Sequence, residues 1–194
     1  MNYYMHNSDV TIDLKSNDVK IHQTNAESFK VTLVDTGLDT KTAGRLKRIQ
    51  QHINNEPFML TYGDGVTDID LNKLWQFHLK HGKTATVTSI QPAGRFGSLD
   101  IDAQDNVNKF IEKPKGDGYW INGGFFILNP NVFDYLKGSC DDVMWEDEPL
   151  EQLALNGELF AYKHHGFWKC MDALRDKIEL EELWNTGNAK WKNW

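Results

Sequence analysis

Phe58-Met59-Leu60-Thr61-Tyr62-Gly63-Asp64-Gly65 is the stretch on which the fold turns. A short, nearly unbroken apolar run ends in a turn, and Leu71, Leu74, Trp75 and His78 then recur at helical spacing. A strand therefore feeds through Gly63-Asp64-Gly65 into a helix. An apolar run lying between helices reads as a parallel strand covered on both faces. Upstream, Leu46, Ile49 and Ile53 predict a helix over 42–54 with Thr42 as its N-cap. Before that, Val10, Ile12 and Leu14 and then Val19 and Ile21 alternate about Ser16-Asn17-Asp18, predicting a hairpin. A third strand is expected through Val31, Leu33 and Val34. Downstream the pattern predicts a strand over 83–90, hairpin strands over 98–101 and 107–111, and a hydrophobic strand over 120–128. Helices are expected over 130–136, 149–155 and 174–184, with a strand over 159–163. The class is α/β with a mixed sheet. No linker, internal repeat or low-complexity segment interrupts residues 1–194, which read as one domain.

The chain has 194 residues, 40% of them hydrophobic and 12% aromatic, enough apolar surface to offset chain entropy on folding. No apolar run approaches the roughly 20 residues needed to span a bilayer. Met1-Asn2-Tyr3-Tyr4-Met5-His6 lacks the basic and then apolar order of a signal peptide, so neither a membrane nor a secreted protein is expected. Twenty-one Lys and Arg against 28 Asp and Glu give a net charge of −7, which repels a nucleic-acid backbone at long range. Cys140 and Cys170 are far apart and outside any C-x-x-C spacing, which suggests neither zinc nor a disulfide framework and fits a reducing cytoplasm.

The turn Gly63-Asp64-Gly65 lies where open α/β sheets bind ligands, outside the carboxyl end of a strand. A carboxylate there suits Mg²⁺, which takes few carboxylates and completes its shell with waters and phosphates. The same residues also read as plain turn chemistry. Phe110-Ile111-Glu112-Lys113-Pro114 sets a carboxylate beside an ammonium where a strand stops. Glu112 could accept sugar hydroxyls and Lys113 pair with a phosphate, while exposed Glu-Lys pairs are also commonly solvated. Arg95 has the same two readings. Other features read as structure. His164 and His165 are adjacent and would point to opposite faces of a strand. Asn122-Gly123-Gly124 lacks a phosphate-loop arrangement, and Asp141, Asp142, Glu146, Asp147 and Glu148 favour the start of the following helix.

Taken in order, several segments resemble the sugar nucleotidyltransferases, and among them the glucose-1-phosphate cytidylyltransferases. They are Thr32-Leu33-Val34-Asp35-Thr36-Gly37, Thr42-Ala43-Gly44-Arg45-Leu46-Lys47-Arg48, Thr61-Tyr62-Gly63-Asp64-Gly65-Val66 and Gly94-Arg95-Phe96-Gly97. Glu112-Lys113-Pro114-Lys115-Gly116-Asp117-Gly118, Trp120-Ile121-Asn122-Gly123-Gly124, Glu148-Pro149-Leu150-Glu151 and Gly166-Phe167-Trp168 with Met171-Asp172 and Arg175-Asp176 complete the series. The resemblance covers essentially the whole chain.

It implies a Rossmann-like mixed sheet flanked by helices, and the reaction of CTP with glucose 1-phosphate to CDP-glucose and pyrophosphate. By the same resemblance Asp64 and Asp172 hold Mg²⁺, and Thr42, Gly44, Arg45 and Gly63 contact the nucleotide. Gly97, Glu112, Lys113 and Asn122 match the sugar-phosphate side, so Asp64, Lys113 and Asp172 are the candidate catalytic residues. Two departures stand out. The family's glycine-rich triphosphate turn has no counterpart after Met1, so the expectation is an N-terminally truncated member, impaired in activity, that lacks a βα portion on the order of 60 residues. Ala173 stands where the family more often has Thr. A sheet edge and apolar surface uncovered in this way would favour a homo-oligomer. The alternative readings at this stage are a non-catalytic sugar-phosphate-binding or partner-binding fragment, or an inactive remnant.

Overall fold

The computed structural model describes residues 8–24, 29–92, 97–112 and 119–193. The chain divides into two compact units, one running to Asp35 and the other from Thr36.

The first unit is an antiparallel hairpin of β1 (Ser8–Asp13) and β2 (Asp18–Thr24), with Val10 opposite Ile21 and Ile12 opposite Val19. The turn forms where expected. Asn17 takes the left-handed conformation at φ 60°, and the Asp13 carboxylate accepts the backbone N–H groups of Lys15 at 2.8 Å and Ser16 at 3.3 Å. The strand expected through Val31, Leu33 and Val34 does not form; this segment is irregular and exposed. Alternation alone does not make a strand where no neighbouring strand offers its hydrogen bonds.

In the second unit, α1 (Thr42–Arg48) and a 3₁₀ turn at Gln50–His52 precede β3 (Phe58–Thr61), β4 (Gly65–Thr67), α2 (Leu71–His81) and β5 (Ala85–Ile90). The hairpin β6 (Ser98–Ile101) and β7 (Val107–Ile111), then β8 (Ile121–Leu128) and a 3₁₀ segment at Pro130–Tyr135, follow. The unit ends with α3 (Glu148–Leu155), β9 (Leu159–His164), β10 (Trp168–Cys170) and α4 (Leu174–Asn185). The main sheet has the order β3-β8-β5-β9; β8 is antiparallel to both neighbours, and β5 and β9 are parallel. Consecutive Phe126, Ile127 and Leu128 on β8 are all buried, so both faces of the sheet are covered. Phe126 and Leu128 meet Leu46, Val132, Trp145 and Leu153 on one face, while Ile127 meets Ile69 and Leu74 on the other.

Three expectations need correction. β3 pairs antiparallel with β8 and lies at the edge of the sheet, with Met59 on its open face; an apolar run cannot by itself tell a parallel pairing from an antiparallel one. The segment 130–135 is 3₁₀ rather than α. Thr42 is the first residue of α1 rather than its cap. Backbone carbonyls do the capping work: Lys41 N–H donates to Asp141 at 2.8 Å and Ala43 N–H to Val143 at 3.1 Å. No helix among the described residues is long and apolar enough to cross a membrane.

Candidate active site

The turn expected to run straight from β3 into a helix instead enters a second small ladder. Gly65–Thr67 pairs antiparallel with Trp168–Cys170, with Cys170 opposite Gly65, and Met171 N–H donates to the Asp64 carbonyl at 2.8 Å. Asp64 and Asp172, distant in sequence, thus come to one end of a two-stranded ribbon. Its far end is fastened by Asp68, whose Oδ1 accepts Phe167 N–H at 2.8 Å and pairs with His164 Nε2 at 2.9 Å. Thr67 adds its hydroxyl to the Phe167 carbonyl at 2.9 Å. Gly166 packs tightly there, because a Cβ would collide with Asp68 Oδ1 and the His164 ring and force them to shift. Trp168 Nε1–H donates to the Gly123 carbonyl at 2.7 Å and ties the ribbon to β8.

Asp64 and Asp172 are exposed, and neither forms an ion pair among the described residues. Two unneutralised carboxylates on one rigid ribbon fit a hard divalent cation of the Mg²⁺ type, which needs no more protein ligands than these when phosphates complete its shell. Among the described residues no larger cluster of metal-binding side chains occurs.

Beside this ribbon a cavity of about 540 Å³ is lined by Thr42, Arg45, Leu60, Tyr62, Asp64 and Glu146, among others. A polar chain runs along it. Thr42 accepts Trp145 N–H at 2.7 Å and donates its own hydroxyl to Glu146 Oε2 at 2.9 Å. Burial holds the Tyr62 phenol well above its ordinary value, with Glu146 and the nearby Asp64 charge acting in the same direction and Asn122 opposing them. Asn122 Nδ2 donates to Tyr62 Oη at 3.2 Å, and its Oδ1 accepts Gly124 N–H at 2.8 Å. Gly124 sits at φ +77° directly against the Tyr62 ring, where a Cβ would come within 2.7 Å.

Of the residues expected to touch nucleotide, Thr42, Arg45 and Gly63 line this cavity. The Arg45 guanidinium is held by Thr36 Oγ1 at 2.7 Å and the Leu38 carbonyl at 3.0 Å. Gly44 is buried beneath the loop at Cys140, where a Cβ would lie 2.8 Å from the Cys140 carbonyl; it lets α1 approach that loop. On the expected sugar side, Gly97 and Glu112 meet at the mouth of the β6–β7 hairpin, where a Cβ on Gly97 would lie 3.2 Å from Glu112 Oε2. Asn122 joins Tyr62 instead, on the Asp64 side. Lys113 and Arg95 fall outside the described residues.

Sequence reasoning missed Tyr62, Glu146, Asp68 and His164 as parts of this construction. Glu146 falls in an acidic run that reads as helix-terminal charge, and His164 reads as one of two adjacent histidines on opposite faces of a strand. The available signal was an acid or a hydroxyl within a few residues of each turn, which is common on any surface.

The nucleotidyl transferase family model matches residues 5–169. The chain is 52% identical over 194 residues to glucose-1-phosphate cytidylyltransferase of Salmonella typhi, covering all of this chain and 74% of that protein. It is 43% identical over 192 residues to a probable glucose-1-phosphate cytidylyltransferase of Bacillus subtilis, covering 98% of this chain and 73% of that one. Among solved structures, UDP-glucose pyrophosphorylase complexed with UDP-glucose superposes with a TM-score of 0.57 at 17% identity, over 78% of this chain and 64% of that one. HddC from Yersinia pseudotuberculosis gives 0.57 at 23% identity, over 76% and 64%. These two, of which the chain spans just under two thirds, carry the likeness of fold alone. With a mixed sheet flanked by helices, a family model over most of its length and relatives at this identity, the chain belongs to the nucleotidyl transferase family.

Proposed function

We propose that the chain acts in transfer of a cytidylyl group from CTP to glucose 1-phosphate, with release of pyrophosphate, and that Asp64 and Asp172 are the residues holding Mg²⁺. The observation that carries this reading is the ribbon of β4 and β10, which brings those two unpaired aspartates to one end, beside the cavity of Thr42, Arg45 and Tyr62.

The sugar phosphate is the nucleophile and is largely dianionic near neutral pH, its second pKa being about 6, so no side chain has to take a proton from it. The work left to the protein is positioning and charge compensation. Thr42, Gly63 and Arg45 border the nucleotide side, and Gly44 sets the approach of α1 beneath it. Tyr62, an ordinary phenol that burial and Glu146 push further above its usual value, is neutral and offers a hydrogen-bonding surface without adding charge. On the acceptor side Gly97 packs closely against Phe110 and Glu112, whose carboxylate suits sugar hydroxyls, and Lys113 is assigned to the phosphate; Asn122, bonded to Tyr62, borders the Asp64 side. When bound, Mg²⁺ supplies neutralisation of the phosphate oxygens. The reading describes a cytoplasmic, self-associating enzyme, consistent with two free cysteines and with exposed Leu99, Ile101 and Phe110 on the β6–β7 hairpin.

The test is calorimetric titration with CDP-glucose in the presence and absence of Mg²⁺, alongside pyrophosphate release from CTP and glucose 1-phosphate. Mg²⁺-dependent binding that Asp64→Asn and Asp172→Asn each weaken supports the reading. Absence of any CDP-glucose binding at millimolar concentration, or binding indifferent to both substitutions, overturns it.

A further inference from the structure

The Asp172 carboxylate has one described side-chain hydrogen bond, and its donor is a thiol: Cys170 Sγ stands 3.1 Å from Asp172 Oδ2. The two residues are separated by Met171 alone: Cys170 is the last residue of β10, and Asp172 lies just beyond it. Cys170 faces Gly65 across the ladder, and Met171 N–H is committed to the Asp64 carbonyl. The thiol thus reaches the carboxylate two residues on, at the point where the chain leaves the ladder. Cys170 is half-buried, whereas Asp172 is exposed and makes no ion pair among the described residues. Nothing else described restrains that carboxylate.

We infer that Cys170 is a positioning residue: its S–H holds Asp172 Oδ2 and leaves the other oxygen to the cation. This rests on the assignment of Asp172 to the metal. A carboxylate free to rotate presents either oxygen, or both, and loses that freedom on binding. One already held by a donor has lost it beforehand, which favours a single-oxygen contact of the kind a small octahedral cation accepts. A thiol suits the task because it is a weak donor that adds no charge and does not compete with the cation for the carboxylate. The role is that of an outer-shell hydrogen bond that orients a ligating group, here supplied by a thiol.

The probe is Mn²⁺, which takes the same oxygen ligands and whose free-ion paramagnetic resonance signal disappears on binding. Cys170→Ala removes the donor, and Cys170→Ser keeps one. The expected result is a Mn²⁺ dissociation constant raised about fivefold in Cys170→Ala, the worth of one modest hydrogen bond, and changed by less than about twofold in Cys170→Ser. Thermal unfolding without metal should be the same for all three proteins. Equal Mn²⁺ affinity in Cys170→Ala and wild type overturns the positioning role, as does equal loss in Ala and Ser variants. Asp172→Asn separates the two levels: if it binds Mn²⁺ as wild type does, the metal assignment itself falls, and the role of Cys170 with it.

Discussion

Replacing Thr86 with valine, a change of almost no volume on a fully buried residue, is expected to destabilise the protein by about 2–4 kcal/mol. The figure follows from a chain of hydrogen bonds whose proton positions are set by its neighbours. Lys83 N–H donates to His81 Nδ1 at 3.0 Å, so the neutral ring carries its proton on Nε2. That N–H meets Thr86 Oγ1 at 2.7 Å, which leaves the Thr86 hydroxyl to donate to His78 Nδ1 at 2.8 Å. His78 then carries its proton on Nε2, which finds no partner in hydrogen-bonding geometry among the described residues. Valine at 86 would orphan two ring nitrogens at once, each worth about 1–3 kcal/mol when buried, with the half-buried His81 toward the lower figure. Thr88, two residues along the same strand, is the internal control. It is equally buried, but its hydroxyl has no partner among the described residues, so Thr88→Val should be neutral or stabilising by about 1 kcal/mol. Urea unfolding followed by circular dichroism measures both, and at an m-value of about 2 kcal/mol/M the Thr86 variant should move its midpoint down by about 1–2 M. Equal effects at the two positions, or a neutral Thr86→Val, would refute the chain.

Burial holds both His78 and His81 below their ordinary value, with the neighbouring His78 and Lys83 adding to the shift at His81 and Glu158 opposing it. Because the unfolded chain binds protons that the native one refuses, stability should be complete above about pH 6.5 and fall as the pH drops below it, as urea midpoints across that range would reveal. Gly166→Ala should cost about 1–3 kcal/mol in the same assay, since its Cβ would collide with Asp68 and His164; an unchanged midpoint would mean that the ribbon is not fastened there. In a chain extended at its N-terminus by a family-type glycine-rich segment, Asp64→Asn and Asp172→Asn should each lower the rate of pyrophosphate release about 10²–10³-fold, and the double variant should be little worse than the poorer single one; multiplicative losses would show that they do not act through one ion.

The parts of the fold legible in the sequence are those whose period exceeds a turn or two. The helix of Leu71, Leu74 and His78, the run into Phe126-Ile127-Leu128 and both hairpins are found where their spacing puts them. What escaped is short or tertiary. β4 and β10 have three residues each, too few to show alternation, yet they bring Asp64 and Asp172 together. Residues 29–35 show the opposite failure, having the pattern of a strand without a neighbour to complete it. At the site, Asp64 was visible because a Gly-Asp-Gly turn at a strand end is a local feature. Tyr62 and Glu146 were not, because their roles exist only once α1 and the loop at Trp145 meet. Thr42 was singled out for two reasons, and the structure separates them: as a cap it is displaced by backbone carbonyls, while as a cavity residue it holds Glu146.

That division has a physical cause in how the ribbon is built. Two exposed carboxylates at one end of it gain nothing from each other; in a water-like medium they repel by up to about 1 kcal/mol. Neither contributes to holding the segment that carries it. The holding is done elsewhere, by Asp68 against His164 and Phe167, by Trp168 against Gly123 and by the Met171–Asp64 backbone bond, none of which needs the carboxylates of Asp64 or Asp172. A residue whose side chain is dispensable for folding leaves no trace in periodicity or burial, and for that reason it is free to be chosen for chemistry. The fastening residues carry the stability and the two aspartates carry the charge. The short ladder lets one set of residues fix the position of the other.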